Sequence, residues 1–359
     1  MQHPDMSKRV AIVAATLVIG AFTAVLPAAD SGGNRITTLT EDGGRLDWSH
    51  RLDLIAFDRK DGDYFNIYTM RPNGSDVRCL TCDRQRGMPA RSKGNPVWDP
   101  SGEFIVFQAQ NDFKGLGKIT DYFANPGAGV NNDLWAMDRA GRRFWRLTDL
   151  PPRTGGVLHP QFSPDGNRLL WAERVDAKGV AGTWALRVAD FVVGGDGPRI
   201  ERQQTFQPGQ QHQFYESHGF SADGRELLFS GNLERGVALG DIYLYDPKNG
   251  ELRNLTQSPG DWDEHAHFSP DGRTIIWMSS KDIPGKVRAE KLHTDYWMMN
   301  ADGSNKRRLT YFNTPGHPES VDGGLTAADF AWSPEGDRIA AYLITDVRKG
   351  GKIVMINLR

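Results

Sequence analysis

The chain has 359 residues, with 40 Gly and 20 Pro, and hydrophobic residues make up 38% of it and charged residues 25%. Gly and Pro together account for about one residue in six, against about one in eight in average proteins, and this excess of turn formers argues against a helical bundle. The formal net charge is −2. Proteins that bind nucleic acid by neutralising phosphates are usually clearly basic, so no nucleic-acid partner is predicted.

The N-terminus carries an uncharged apolar run, residues 10–29, behind Lys8 and Arg9. The run is long enough to span a membrane, and no small-x-small cleavage pattern closes it. We expect residues 1–29 to form an apolar helix, either a retained membrane anchor or a cleaved signal peptide, and residues 30–359 to form the folded domain. The basic residues before the run place that domain on the periplasmic side of the cytoplasmic membrane, anchored by the helix or soluble after cleavage.

The rest of the chain repeats one pattern six times: an aromatic residue, a polar residue, a turn that usually contains Gly, and an apolar β run. In the Pro-Asp-Gly turns, Pro presets φ and Gly supplies a positive φ, so two strands can reverse tightly. The repeats recur every 48 to 64 residues, which suits one four-stranded unit each. The repeat aromatic residues are Trp48, Trp98, Phe162, Phe220, Phe268 and Trp332.

The two ends of the repeat region complement each other. In four units the fourth strand ends in Leu-Thr, whereas the sixth unit stops after its third strand, at Arg359. The segment 36–40 also ends in Leu-Thr and has no unit of its own before it. An N-terminal strand that completes the last blade would leave no open edge. The predicted fold class is therefore all-β, a six-bladed β-propeller of four-stranded blades closed by the N-terminal strand.

These repeats resemble the PD40 repeats of TolB-like β-propellers, which are WD40-like, and the resemblance covers residues 36–359. It implies the fold rather than the function, because propellers host many functions. TolB itself has an α/β domain before its propeller, and too few residues precede the first repeat here for such a domain. We therefore expect a resemblance to TolB in the propeller only. A serine-peptidase domain is not expected either, since the chain ends in its last repeat and has no Gly-x-Ser-x-Gly motif.

The connections differ between the two faces of the predicted propeller. Those between first and second strands are short, and so are most between third and fourth, whereas the connections on the opposite face are long. Long loops are often functional. Aromatic residues on them predict either contacts with a protein partner or simple packing of the loops. These residues are Phe113, Tyr122, Phe123, Phe214, Tyr215, Trp262, Tyr311 and Phe312.

Histidines and carboxylates lie just before the repeat aromatic residue in several units, where a ring would bring them together at the mouth of the central channel. They could bind a divalent metal or an anionic ligand. Alternatively they are rim residues that hydrogen-bond neighbouring strand ends, which we favour because no metal-ligand spacing pattern is present. No metal or cofactor is therefore predicted. The residues are His159, Glu216, His218, Asp263, Glu264, His265, His267 and Asp329.

Cys79 and Cys82 form a CxxC pair near the end of a fourth strand. Two cysteines alone cannot complete a four-ligand zinc site, and the helix start that a thioredoxin-like motif needs is absent. Outside the cytoplasm a local disulfide is expected, with reduced thiols as the alternative.

The function expected from these features is a non-catalytic propeller that binds a protein partner as a membrane-tethered accessory or scaffold subunit of a membrane complex. Two alternatives stay open. The first is a metal-assisted polysaccharide lyase or hydrolase that uses the His-rich channel mouth, and the second is a soluble periplasmic sensor or ligand-binding module.

Overall fold

The chain from Arg35 onward folds into a ring of six four-stranded antiparallel sheets, which confirms the predicted six-bladed propeller. The computed structural model describes residues 35–83, 87–112, 123–152, 154–177, 182–209, 214–233, 240–285, 287–288, 291–346 and 350–358. The predicted N-terminal helix, residues 1–29, lies outside the described residues. Within them, no helix has the length and apolar character needed to cross a membrane.

Each blade runs from an innermost strand at the channel to an outermost strand at the perimeter. Blades 1 to 3 contain β2 (Leu46–Ser49), β3 (Leu54–Asp61), β4 (Tyr64–Met70) and β5 (Arg78–Cys79); β6 (Lys93–Trp98), β7 (Phe104–Gln110), β8 (Asn132–Asp138) and β9 (Phe144–Arg146); and β10 (Val157–Phe162), β11 (Arg168–Asp176), β12 (Thr183–Gly194) and β13 (Gly197–Phe206).

The second half of the ring follows the same order, and the first strand of the chain returns to complete it. Blades 4 to 6 contain β14 (Tyr215–Phe220), β15 (Leu227–Gly231), β16 (Asp241–Asp246) and β17 (Glu251–Asn254); β18 (Asp263–Phe268), β19 (Thr274–Ser279), β20 (Asp295–Asn300) and β21 (Arg307–Arg308); and β22 (Thr326–Trp332), β23 (Arg338–Asp346), β24 (Gly350–Asn357) and β1 (Ile36–Gly43).

The ring closes as the sequence predicts. Strand β1 pairs antiparallel with β24, with Ile36 opposite Ile356. Arg35 ties this strand to the preceding blade, because its guanidinium donates to the Leu309 carbonyl at 2.7 Å and forms an ion pair with Glu319. First and last strands of the repeat region thus share one blade.

The Leu-Thr endings have a structural cause. The Thr148 hydroxyl donates to Asp133 Oδ1 at 2.8 Å and accepts from the Leu134 backbone N–H at 2.9 Å. A third strand is thereby pinned to the chain that follows it, and two buried polar groups are satisfied at once. The same arrangement recurs in other blades at Thr81 with Asn66, Thr256 with Asp241 and Thr310 with Asp295.

The hydrophobic core lies between neighbouring blades rather than inside any one of them. One cluster, for example, joins Ala56 and Ile67 of blade 1 to Ile105 and Phe107 of blade 2, all fully buried. Since each sheet packs on two neighbours, the strands read as near-continuous apolar runs. The rigid ring that results positions the innermost strands around the channel.

Blade 3 departs from the prediction. Its third strand was expected to end at Val188 and its fourth to be irregular around Thr205, but β12 and β13 are regular strands of 12 and 10 residues. The hairpin is held at its far end by blade 2, where Trp145 Nε1 donates to the Asp196 carbonyl at 2.7 Å. This long-range contact has no local sequence signal.

Candidate functional site

The channel axis is surrounded by one polar residue from each blade, at the position three residues before the repeat aromatic. In blade 4 that residue, Ser217, donates to the His159 carbonyl at 2.7 Å, and its neighbour His218 joins the central cluster. We call the set the axial ring. It consists of Arg45, Asn95, His159, His218, His265 and Asp329.

A β-bulge sets the direction of most of these side chains. In blades 2 to 6 the pairing of the first two strands shifts at the ring residue. Asn95, His159 and His265 have φ values of 51°, 48° and 49°. The left-handed conformation costs a non-Gly residue about 1–2 kcal/mol, and bulges are over-represented beside functional sites, where they re-aim a side chain.

Three histidines of the ring form one cluster. Ligand nitrogens of His159, His218 and His265 all lie within 4.8 Å of one another. The rings of His159 and His265 stack with centroids 5.2 Å apart, and that of His218 lies 5.8 Å from His265. His267 stands 6.1 Å from His218, between it and Phe330. The bulges thus gather imidazoles that lie far apart in the chain.

Carboxylates and a hydroxyl hold these imidazoles. Glu216 Oε1 lies 2.8 Å from His159 Nε2, and Asp329 Oδ1 lies 3.3 Å from His265 Nδ1. His218 Nε2 lies 2.9 Å from the Ser230 hydroxyl. Among the described residues, His218 Nδ1 and Asp329 Oδ2 are buried and make no hydrogen bond. Buried polar atoms without a partner are rare and point to a ligand.

The environment drives the histidine pKa values apart. Burial, reinforced by the neighbouring imidazoles, lowers the pKa of His218 well below its usual 6.5, and burial lowers the pKa of His267 to about 4. Burial also lowers the pKa of His265. For His159 the effect of burial is outweighed by the Glu216 and Asp329 charges, so its pKa is raised.

The two glutamates of the site differ in the same way. Burial alone would raise the pKa of Glu216, but the adjacent His159 outweighs it and lowers the pKa. Burial, with the nearby Glu216 charge, raises the pKa of Glu264 well above its ordinary 4.5. Two carboxyl groups pushed toward opposite protonation states are typical of acid–base pairs.

Asp263 belongs to a different environment. Its Oδ1 accepts from Trp277 Nε1 at 3.0 Å, and its other oxygen is bonded by the Ser258 hydroxyl. Burial raises its pKa to about 6, although the hydrogen bonds from Ser258 and Trp277 oppose the shift. Asp263 therefore packs within its own blade, and the structure does not bring it into the axial ring.

Arg45 and Asn95 complete the ring, and the sequence analysis did not single them out. Arg45 Nε lies 3.9 Å from Asp329 Oδ2. Asn95 donates from its backbone N–H to Asp58 Oδ2 at 3.0 Å. Their shared position three residues before Trp48 and Trp98 was the signal that could have found them.

A cavity of about 400 Å³ adjoins the ring, and its position differs from the expectation of a mouth on the loop side. Its lining runs from the ring residues to the first-to-second-strand turns, so it lies on the face with the short turns. The reason is that the ring side chains sit midway along the innermost strands and leave the space before the turns unfilled.

The loop aromatic residues divide by burial. Tyr215 and Phe312 are 0% and 2% exposed and pack in the core, so they are not open to a partner, contrary to the expectation. Phe123 is 42% exposed, whereas Phe214, Trp262 and Tyr311 are half-buried. Phe113 and Tyr122 lie outside the described residues.

Cys79 and Cys82 are joined in a disulfide with their Cα atoms 5.8 Å apart. The bridge lies at the end of blade 1, next to the Tyr68 hydroxyl, which is 3.2 Å from Cys82 Sγ. It is remote from the axial ring and secures the perimeter of the blade.

The fold and its closure define a TolB-like six-bladed β-propeller. A structure from Agrobacterium tumefaciens described as TolB superposes with a TM-score of 0.57 and 16% identity, covering 85% of this chain and 90% of the other. Puromycin hydrolase superposes with a TM-score of 0.55 and 17% identity, covering 89% of this chain and 44% of the hydrolase. At these identities the similarity establishes the fold.

Sequence comparison gives a shorter match. Dipeptidyl-peptidase 5 of Porphyromonas gingivalis is 30% identical over 69 residues, which is 18% of this chain and only 10% of the peptidase. No family model matches the chain. The expectation that the chain is not an enzyme is contradicted by these comparisons, because the proteins that share its propeller include a dipeptidyl peptidase and a hydrolase.

Proposed function

We propose that the protein is an enzyme whose axial ring binds a divalent metal and uses it in a hydrolase or lyase reaction. The observation that carries this proposal is the cluster of three buried imidazoles, His159, His218 and His265, with ligand nitrogens within 4.8 Å of one another. Three protein ligands with a fourth position left for water or substrate are the usual composition of a catalytic zinc site.

The cluster fits a metal after a modest contraction. Zn–N bonds of about 2.05 Å in a tetrahedral site place the nitrogens about 3.4 Å apart. The widest separation allowed within the cluster, 4.8 Å, exceeds this by about 1.4 Å, which rotation of imidazole side chains can supply. Neutral imidazole suits Zn, Cu, Fe and Ni, so the donor set alone does not select one of them.

The groups around the cluster are those that orient metal-bound histidines. Carboxylates and hydroxyls that hold the second ring nitrogen set the tautomer and the ring direction. Here Ser230 holds His218, and Glu216 and Asp329 flank His159 and His265. A bound divalent metal polarises a substrate oxygen or lowers the pKa of a bound water, and Glu216 and Glu264 lie where a proton must be taken and given.

A serine-based mechanism finds less support in the described residues. The Ser230 hydroxyl does lie 2.9 Å from His218 Nε2, but Ser230 is 1% exposed and His218 Nδ1 has no carboxylate partner. A nucleophilic serine needs a base that is itself oriented by a third group. The peptidase and hydrolase names among the comparisons therefore support the enzyme class, and the geometry favours metal assistance.

The test is metal analysis followed by titration with Co²⁺, observed by visible absorption. We expect one ion per chain, and activity on peptide or polysaccharide substrates that a chelator removes. His317→Ala is the matched control, because His317 stacks on Tyr311 at 4.4 Å, away from the cluster. A wild-type protein that shows no cobalt spectrum at micromolar Co²⁺ would contradict the proposal.

We also propose that the propeller acts outside the cytoplasm and contacts a protein partner through its loop face. The support is the apolar run at residues 10–29 and the exposed ring of Phe123. Fractionation of cells, with N-terminal sequencing of the mature chain, tests the location and distinguishes an anchor from a cleaved signal. Cross-linking from Phe123 in solubilised membranes tests the partner.

A further inference from the structure

The central cavity reaches solvent on the turn face. Exposed residues from the turns of five blades belong to its lining, namely His50, Pro100, Pro164, Ala222 and Pro270. At its inner end it meets His159, His218 and Asp329. A molecule that enters between the turns would therefore arrive directly at the axial ring.

On the opposite face a loop segment lies over part of the ring. The Pro126 carbonyl accepts from Asn95 Nδ2 at 2.9 Å and from Gln108 Nε2 at 3.1 Å. Gly127 packs so closely on Arg45 that a Cβ at this position would lie 2.2 Å from the guanidinium. Residues 125–127 thus cover the channel at blades 1 and 2, on the face that carries the long loops.

The cavity wall has two chemical zones. The repeat aromatic residue of every blade contributes to the wall between the ring and the turns, from Trp48 round to Trp332. The floor is polar, with imidazoles and a carboxylate whose Oδ2 has no hydrogen bond. A volume of about 400 Å³ is near the lower end of the 300–1,000 Å³ that ligand pockets typically have.

From this arrangement we infer that the substrate enters through the turn face and is a compact organic molecule with a flat apolar side and one oxygen donor. The flat side packs on the aromatic wall, and the oxygen reaches the metal position at the floor. The oxygen contact rests on the proposed function, whereas the entrance follows from the cavity and the covered opposite side alone. The long loops would then cover the channel instead of admitting the substrate.

The entrance is tested with one introduced thiol on each face. The two native cysteines are joined in the disulfide, so a bulky maleimide reacts only with the new cysteine. Ala222→Cys places it at the exposed rim of the cavity, and Ala128→Cys, the matched control, places it beside the covering segment. The readout is the rate at which diethyl pyrocarbonate modifies His159 and His218 in metal-free protein, relative to His317.

We expect the adduct at position 222 to slow modification of both histidines at least fivefold relative to His317 and the adduct at position 128 to change it less than twofold. Slowing by the adduct at 128 alone, or by neither adduct, would overturn the entrance. Neither outcome depends on whether the ring binds a metal, so the failure of this inference and the failure of the proposed function are distinguishable.

The ligand class is tested by calorimetric titration of the cobalt-loaded protein with benzoate and with acetate. Aromatic contacts worth about 0.5–1.5 kcal/mol predict that benzoate binds about two- to tenfold more tightly. Phe268→Leu, on the cavity wall, should reduce this preference, and Phe206→Leu, on the outer strand of blade 3, should leave it intact. Equal affinity for the two carboxylates in a protein that binds cobalt would overturn the ligand class.

Discussion

The two halves of the axial ring share a backbone but not a chemistry. Blades 3 to 5 contribute His159, His218 and His265, whereas blades 6, 1 and 2 contribute Asp329, Arg45 and Asn95. The strands, bulges and turns around them follow one repeated plan. The comparison shows that the repeat builds the scaffold, and that a single variable position per blade decides what the channel centre can bind.

The largest effect should separate these halves directly. His218→Ala removes one of three proposed ligands, and we expect the affinity for Co²⁺ to fall more than 1,000-fold, about 4 kcal/mol. Asn95→Ala, at the corresponding place in the other half, should change it less than fivefold. Titration by visible absorption measures both, with circular dichroism to verify folding. Equal losses in the two variants would mean that the halves are not chemically distinct.

A second test concerns the half without histidines, where Asp58 supports the ring. This carboxyl is fully buried and accepts backbone N–H bonds from Arg45 at 3.2 Å and Asn95 at 3.0 Å. Burial raises its pKa from 3.8 to about 6, although Arg45 opposes the shift. Since the native state holds the proton more tightly than the unfolded state, stability is lost as pH rises from about 4 to about 6, by about 3 kcal/mol.

Asp58→Asn should remove this pH dependence while keeping a side-chain oxygen as acceptor. The measurement is the free energy of unfolding by urea at pH 4, 5, 6 and 7 for wild type and variant. Asp63→Asn, at an exposed position of the same hairpin, is the control and should follow the wild type. Parallel curves for wild type and Asp58→Asn over this range would show that Asp58 does not titrate as the structure indicates.

What the sequence could predict follows the same division between scaffold and ring. Turn chemistry and the Leu-Thr endings are local signals, and they were enough to predict the blades and the closure of β1 on β24. The histidines were singled out as well, because they precede the repeat aromatic. Whether they meet depends on bulges and left-handed φ values at His159 and His265, which no local pattern announces.

Burial and the position of the cavity also lay beyond the sequence. Tyr215 and Phe312 occur in loop-rich stretches, yet tertiary packing takes both into the core. Asp263 lies next to Glu264 in the chain but points toward Trp277 and Ser258, because neighbouring residues of a strand face opposite sides. Arg45 and Asn95 would have been found by comparing one position across all six repeats.

A smaller effect is expected from the residues that orient the imidazoles. Glu216→Gln retains the shape of the side chain next to His159 but removes its charge, and partners of this kind typically contribute 10- to 100-fold to metal affinity. We expect a loss in that range with a shifted cobalt spectrum, which a purely structural role would not produce. Glu226→Gln, which loses a surface partner of Arg253, is the control. An unchanged spectrum and affinity would remove Glu216 from the site.

The smallest effect should be the same in both halves, because it concerns the scaffold. Thr148→Val in blade 2 and Thr256→Val in blade 4 each remove a hydroxyl that bonds an aspartate and a backbone N–H. Leaving such buried groups without a partner costs about 1–2 kcal/mol. Urea unfolding should show this loss for both variants, with Co²⁺ affinity unchanged. If only Thr256→Val weakened Co²⁺ binding, the scaffold of the histidine half would itself be specialised, and the division between repeated backbone and variable ring would fail.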